Sequence, residues 1–151
     1  METMLGSCLI IGSLTVLVLR SFLWRLAKNI LPTKDNLRKK GILLDETCSL
    51  CNSAPETALH LFMDCAFARQ VFSSSVLSYH ILENMDICNW LRSMLVCGDF
   101  LSAQILSSLI HKVWTARNMQ LYQQKACSLL AVASVAEFNL RNPEANRFLF
   151  S

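Results

Sequence analysis

Three cysteines and one histidine lie close together in the stretch CSLCNSAPETALHLFMDC. They follow the spacing C-x2-C-x8-H-x4-C and are Cys48, Cys51, His60 and Cys65. Thiolate and imidazole groups are preferred zinc ligands, and three cysteines with one histidine are a common set at structural zinc sites. Two cysteines separated by two residues can converge on one ion from a single tight turn. The spacing therefore predicts a four-ligand zinc site.

The second half of this motif requires a break in the chain between its two ligands. On one continuous α-helix, His60 and Cys65 would point about 140° apart, because a helix turns once in ~3.6 residues. Thr57 is placed to cap a helical turn that carries His60, and Asp64 to cap a second helix that begins near Cys65. We therefore expect one helix to end and another to begin near residues 63–64.

Such a site is expected to be structural rather than catalytic. Four protein ligands leave no open position for a reactive water. The sequence also has no nucleophile motif of serine, histidine and acid, and its four glycines are too scattered for a phosphate-binding loop. We therefore expect no enzymatic activity, with Zn²⁺ as the cofactor.

The remaining four cysteines, Cys8, Cys88, Cys97 and Cys127, are interpreted as small buried apolar side chains. Seven cysteines are an odd number and too few for a disulfide scaffold in 151 residues. The cysteine content therefore favours a reducing compartment, either the nucleus or the cytoplasm.

The composition predicts a mainly α protein. A hydrophobic content of 53% with 17% charged residues is too apolar for a disordered chain. Four glycines and three prolines provide few turns, which favours helices over a many-stranded sheet. We expect short helices around a small Cys3His zinc module, followed by longer amphipathic helices at Asp86–Arg92, Leu101–Tyr122 and Ser128–Arg141. The apolar stripe of the second of these is Ile105, Leu106, Leu109, Ile110, Val113 and Trp114.

Two short helices are predicted before the zinc motif. The first covers Ser21–Asn29 and ends before Pro32, because the residue before a proline disfavours the α conformation. In the second helix, Thr33 is the expected N-cap and Gly41 the expected left-handed stop. Trp24 is interpreted as a core residue, with base stacking as the alternative role.

Positive charge is concentrated in the same region. Residues 20–40 carry seven basic side chains and one acidic side chain, a net charge of +6, whereas residues 41–151 carry −2. This asymmetry can attract an anionic partner such as RNA or DNA, and the alternative is an ordinary solvated helix face. The candidate nucleic-acid-binding residues are Arg25, Lys28, Lys34, Arg38, Lys39 and Lys40.

The N-terminal segment contains 16 consecutive uncharged residues, Met4–Leu19. This length is below the ~20 residues that a bilayer-spanning helix needs. Glu2 stands where a signal peptide would carry basic residues. We therefore expect a buried element, and a membrane anchor or a signal peptide is the open alternative. The predicted division is an apolar segment at 1–19, a zinc-binding domain at 20–76 and a helical extension at 77–151.

Residues 20–75 resemble the zinc-binding domain that follows reverse transcriptase in plant LINE-type (non-LTR) retrotransposons. The matching residues are Phe22, Trp24, Arg25, Leu31, Pro32, Thr33, Leu37, Gly41, Cys48, Cys51, Glu56, Thr57, His60, Cys65 and Phe72. A weaker similarity relates VWTARN, at 113–118, to a W-x-x-R-N segment before the RNase H domain of such elements. We interpret that segment as a core Trp114 on an amphipathic helix with an exposed Arg117.

The resemblance implies that the four-residue cluster binds zinc in a non-catalytic module of retrotransposon origin that contacts nucleic acid. The polymerase and RNase H domains of the parent element are not in these 151 residues, so we expect a stand-alone fragment. The competing hypothesis is a protein-interaction or relic structural fragment without nucleic-acid binding. It is favoured by residues 4–19 and the apolar stripe, which exceed what a small zinc module can bury and so could meet a protein partner.

Overall fold

The computed structural model describes residues 14–73, 85–96 and 100–123. Within these ranges, residues 14–18, 94–96 and 100–102 are described by their backbone only. Across these ranges the chain is mainly helical, with one isolated antiparallel bridge between Thr47 and Pro55. The elements are α1 (Leu14–Ala27), α2 (Lys34–Lys39), a π-helical turn (His60–Asp64), α3 (Ala66–Ser73), α4 (Ile87–Val96) and α5 (Phe100–Gln123). The prediction of a mainly α fold is confirmed. The helix predicted at Ser128–Arg141 lies outside the described residues.

Helix α1 begins earlier than predicted and takes in the end of the apolar N-terminal segment. Its buried side chains are Phe22, Leu23, Leu26 and Ala27, which recur at helical spacing. The helix ends at Ala27, and Asn29, two residues later, has a left-handed φ of 54°. None of the helices in the described ranges combines the length and apolar character that crossing a bilayer requires.

Helix α2 is bounded as its sequence predicts. The Thr33 side chain accepts a hydrogen bond from the Asn36 backbone N–H at 3.3 Å, which confirms the N-cap. Gly41 has a φ of 85°, which confirms the left-handed stop. The Asn36 amide also donates to the Asn29 carbonyl at 2.9 Å, so α2 is tied to the end of α1.

Helix α5 is the central element of the described core, because it packs against α1, α3 and α4. Every residue of its predicted apolar stripe is buried, which confirms the periodicity. On α1, the ring of Phe22 lies edge-on to His111 of α5, with 5.0 Å between ring centroids. On α4, Trp90 is fully buried.

Arg117 of α5 is completely buried, so the prediction that it is exposed is wrong. Its Nε and Nη2 atoms donate to Oε1 of Glu56 at 3.0 and 2.6 Å. Nη2 also donates to the Pro32 carbonyl at 3.3 Å, and the guanidinium lies 4.8 Å from the Trp114 ring centroid. A buried carboxylate requires a cation and hydrogen-bond donors. Helical periodicity alone does not reveal that requirement.

Glu56 is also completely buried and connects α5 to the two preceding segments. Its Oε1 accepts the backbone N–H of Lys34, the first residue of α2, at 3.1 Å. Its Oε2 accepts the N–H of Ser49, between the first two cysteines, at 3.5 Å. Its main chain accepts from the Asp35 N–H at 3.2 Å and donates to the Glu46 carbonyl at 2.8 Å. Glu56 therefore holds α2 and the cysteine loop against α5 through both its side chain and its main chain.

Replacing Arg117 by methionine should lower the free energy of unfolding by about 3–5 kcal/mol, because the Glu56 carboxylate would stay buried without a counter-charge. Urea denaturation of the zinc-loaded protein measures this loss. The double variant Glu56→Gln/Arg117→Met should recover part of it, since neither partner is then charged.

The matched control is the surface ion pair of Lys39 with Asp35, whose charged atoms are 2.8 Å apart. Lys39→Met should cost only about 0.5 kcal/mol, because an exposed pair is well solvated when broken. An Arg117→Met loss no larger than that of Lys39→Met would contradict a stabilising role for the buried pair.

His111 provides a pH-dependent prediction. Burial, with a smaller contribution from Lys112, lowers the pKa of His111 from 6.5 to about 4. The unfolded chain therefore takes up a proton near pH 6.5, whereas the folded chain stays neutral until about pH 4. The unfolding free energy should fall by up to ~1.4 kcal/mol per pH unit across that window.

His111→Gln should remove this contribution, and denaturation of both proteins from pH 7 to pH 4 with excess zinc measures it. Any loss of zinc at low pH affects both proteins alike, so the difference between the two curves isolates His111. Parallel curves would show that the folded and unfolded states protonate His111 equally.

Candidate metal centre

The structure brings the four predicted zinc ligands together. Their ligating atoms all lie within 4.8 Å of one another. The sulfurs of Cys48 and Cys65 are 4.0 Å apart, and the sulfur of Cys51 is 3.2 Å from Nε2 of His60. Tetrahedral zinc with bonds of ~2.3 Å holds two sulfurs about 3.8 Å apart. The spacing and the chemistry of this donor set therefore fit Zn²⁺.

The first two ligands lie on a loop that turns back on itself. The Thr47–Pro55 bridge closes the loop, and the N–H of Cys48 donates to the Ala54 carbonyl at 2.8 Å. Within the loop, the N–H of Asn52 donates to the carbonyl of Cys48 at 2.9 Å. Asn52 has a left-handed φ of 54°, which asparagine tolerates better than most residues. The turn thus directs both sulfurs of the C-x2-C pair to one point.

The other two ligands lie at the two ends of the π-helical turn. Thr57 Oγ1 accepts the N–H of His60 at 3.0 Å, which confirms the predicted cap. The Cys65 N–H donates to the His60 carbonyl at 2.7 Å, five residues back, so this single wide turn brings the two residues together. Cys65 itself is extended, with φ −62° and ψ 128°, and α3 begins at the next residue. The predicted break is present, but its π geometry was not predicted.

Asp64 has a different role from the predicted cap. Its Oδ1 accepts a hydrogen bond from Nη2 of Arg69 at 3.3 Å, and both side chains are largely exposed. Cys65, rather than Asp64, occupies the position before the first residue of α3. The chain therefore leaves the π-helical turn one residue later than the cap signal indicates.

A hydrogen bond links the two buried thiols, Cys48 and Cys65. Hydrogen bonding to Cys65, followed by burial, raises the pKa of the Cys48 thiol far above its ordinary value of 9.0. The same hydrogen bond lowers the pKa of Cys65. A divalent cation bound by both sulfurs replaces the proton of this hydrogen bond, since a metal ligand must be deprotonated.

Backbone N–H groups also point towards these two sulfurs. Those of Cys51 and Leu50 donate to Cys48 and lower its pKa, opposing the larger effects of the thiol pair. Those of Ala68 and Phe67, in the first turn of α3, donate to Cys65. Such donors stabilise a thiolate without supplying a competing charge. The loop and the helix start are therefore both arranged to receive metal-bound sulfur.

Two residues near the cluster were not predicted to support it. Ser53 Oγ donates to the sulfur of Cys51 at 3.1 Å, and Glu56 accepts from the loop backbone at Ser49. In the sequence, Ser53 could be found as a hydroxyl two residues after a ligand. Glu56 could be found as the only charged residue in the spacer between Cys51 and His60.

Lys34 is the one predicted nucleic-acid-binding residue that the structure removes from the surface. It is only 7% exposed, and its Nζ donates to the carbonyl of Thr47 at 2.5 Å. Nζ also lies 3.7 Å from Oδ2 of Asp45. Its amine therefore binds the backbone beside the first zinc ligand, which leaves little of this side chain for a phosphate to contact.

The other predicted cations are exposed, but two of them are already paired. Arg38 forms an ion pair with Glu46, and Lys39 forms one with Asp35. Of the predicted cations, Arg25, Lys28 and Lys40 are exposed and form no ion pair among the described residues. Trp24 is 41% exposed, so its interpretation as a core residue is also wrong.

Comparison with known families agrees with this geometry. Residues 13–72 match the family described as zinc-binding in reverse transcriptase. Neither a curated protein nor a solved structure matches the chain. The matched range contains α1, α2 and the complete Cys3His cluster. The predicted domain type and the predicted zinc cofactor are confirmed, whereas the predicted domain boundaries stay a prediction.

Purified protein should contain about one zinc per chain, and Cys51→Ser should lose it. Zinc affinities of about 10–16 kcal/mol in finger peptides match or exceed the ~5–15 kcal/mol stability of a whole domain. Loss of zinc, by this variant or by a chelator, should therefore unfold the domain. Elemental analysis and circular dichroism measure the two effects.

Cys88→Ser is the matched control, because Cys88 is a half-buried free thiol on α4 outside the cluster. It should keep both the zinc and the helical signal. A Cys51→Ser protein that retains full zinc content, or a fold that a chelator does not change, would refute the four-ligand assignment.

Proposed function

We propose that the reverse-transcriptase-type zinc-binding domain at residues 13–72 derives from a retrotransposon and contacts RNA or DNA through exposed basic side chains. Zinc would hold the cysteine loop and the π-helical turn together and take no part in a reaction, because the four protein ligands fill its coordination sphere. On this proposal the whole chain is a non-catalytic binding module.

This proposal rests on Arg25, Lys28 and Lys40, which are exposed and form no ion pair within the described part of the chain. Three thiolates, a neutral imidazole and Zn²⁺ together have a charge of about −1, so the metal centre itself repels phosphate. Attraction must therefore come from the basic region before the cluster, where residues 20–40 have a net charge of +6.

A protein-interaction fragment without nucleic-acid binding is the second candidate. It is favoured by Leu43, which is 97% exposed, and by Ile42, which is 48% exposed. Large apolar side chains this exposed often mark a surface that meets another chain. Under this alternative, Ile42→Ser/Leu43→Ser would change self-association in light scattering, and no oligonucleotide would bind.

Oligonucleotide affinity should fall steeply with salt. If the three unpaired cations each neutralise one phosphate, log affinity against log salt should have a slope of roughly −2 to −3. Fluorescence anisotropy of a labelled oligonucleotide, titrated at several salt concentrations, gives the slope. Arg25→Gln/Lys28→Gln/Lys40→Gln should make the slope clearly shallower, and a flat response of the unmodified protein would count against contact with nucleic acid.

A further inference from the structure

We infer that single-stranded RNA or DNA binds along the outer face of α1, with a base stacked on Trp24 and phosphates held by Arg20, Arg25 and Lys28. This inference rests on the proposed function. It specifies which face of the domain binds the nucleic acid and that the nucleic acid is single-stranded.

The outer face of α1 is a continuous aromatic and cationic surface. Arg20, Trp24 and Lys28 follow one another at intervals of four residues and are all exposed. Side chains at this interval lie on the same side of a helix, about 6 Å apart along its axis. The opposite face of α1 carries the buried residues, so the orientation of this surface is fixed by the core. Arg25 is exposed beside Trp24.

No carboxylate among the described residues competes for these cations. No acidic residue lies between Leu14 and Lys34, and the next one, Asp35, is already bound by Lys39. Neither Arg20, Arg25 nor Lys28 forms an ion pair within the described part of the chain. A phosphate can therefore bind them without breaking an existing interaction.

The basic residues of α2 are less available to a phosphate. Lys34 is buried, and Arg38 and Lys39 are paired with Glu46 and Asp35. A phosphate that reached Arg38 or Lys39 would have to displace a carboxylate first. Only Lys40 of this group is exposed and without an ion pair among the described residues. The charge of residues 20–40 is therefore presented mainly by α1.

Trp24 indicates a single strand rather than a duplex. It is 41% exposed, whereas Trp90 and Trp114 are 0% and 9% exposed. An exposed indole between cations matches the combination by which proteins bind single strands, where bases stack on aromatic rings and the backbone follows positive charge. The bases of a duplex are already stacked on one another and do not offer a free face to the indole.

The test uses the full zinc-loaded chain with labelled oligothymidylate and with the duplex that it forms with oligoadenylate. Two variants remove three positive charges each. The α1 variant is Arg20→Gln/Arg25→Gln/Lys28→Gln, and the α2 variant is Arg38→Gln/Lys39→Gln/Lys40→Gln. Zinc content and circular dichroism establish that both variants are folded. The single strand should bind more tightly than the duplex, and the α1 variant should lose at least tenfold more affinity than the α2 variant.

Trp24 is tested separately by Trp24→Ala and Trp24→Phe. The alanine variant should weaken single-strand binding about tenfold, and the phenylalanine variant should restore most of it, because a phenyl ring still stacks. Oligothymidylate should also quench tryptophan fluorescence in the unmodified protein but not in Trp24→Phe, since the other two tryptophans are buried.

Each contrary outcome has a distinct meaning. Loss of affinity in the α2 variant alone, or duplex binding that Trp24→Ala does not change, would overturn this inference and leave the proposed function standing. Absence of any oligonucleotide binding by the unmodified protein would overturn both. Trp24-dependent binding to anionic phospholipid vesicles, with no binding to oligonucleotides, would also overturn both and assign the surface to a membrane.

Discussion

The buried carboxylate of Glu56 is the group on which the arrangement of the described residues depends. A charge removed from water must be compensated by a cation and by hydrogen-bond donors. Here the cation comes from α5, and the donors come from the start of α2 and from the cysteine loop. Because these segments are far apart in sequence, satisfying one carboxylate fixes their relative positions. Zinc acts over a shorter range, since all four of its candidate ligands lie within residues 48–65.

The two centres have complementary effects on charge. The zinc site has a charge of about −1 when filled, and the charges of Glu56 and Arg117 cancel. The interior therefore contributes little to the electrostatic potential at the protein surface. The cations of α1 are held outwards because Leu23 and Leu26 occupy its other face in the core. A domain can therefore combine an anionic metal centre with an electropositive exterior, provided that the two are placed on different elements.

The sequence alone predicts the features that depend on neighbouring residues. The cysteine and histidine spacing, the Thr33 cap, the Gly41 stop and the α5 stripe are all local patterns, and the structure contains each of them. The errors concern Arg117 and Trp24, whose burial or exposure is decided by distant partners or by their absence. Arg117 meets a carboxylate 61 positions away, which no helical period encodes. The π geometry was missed for another reason, because the cap signals at Thr57 and Asp64 indicate a break but not the hydrogen-bond spacing of the turn before it.

The Glu56–Arg117 pair also crosses the edge of the region that the family match covers, because α5 begins after residue 72. A gene rearrangement that separated the two stretches would leave an uncompensated anion in one product and an uncompensated guanidinium in the other. Both products would be poorly folded, so purifying selection on either stretch would act on its companion as well. The metal-binding segment and the long helix are thus expected to be inherited as one evolutionary unit.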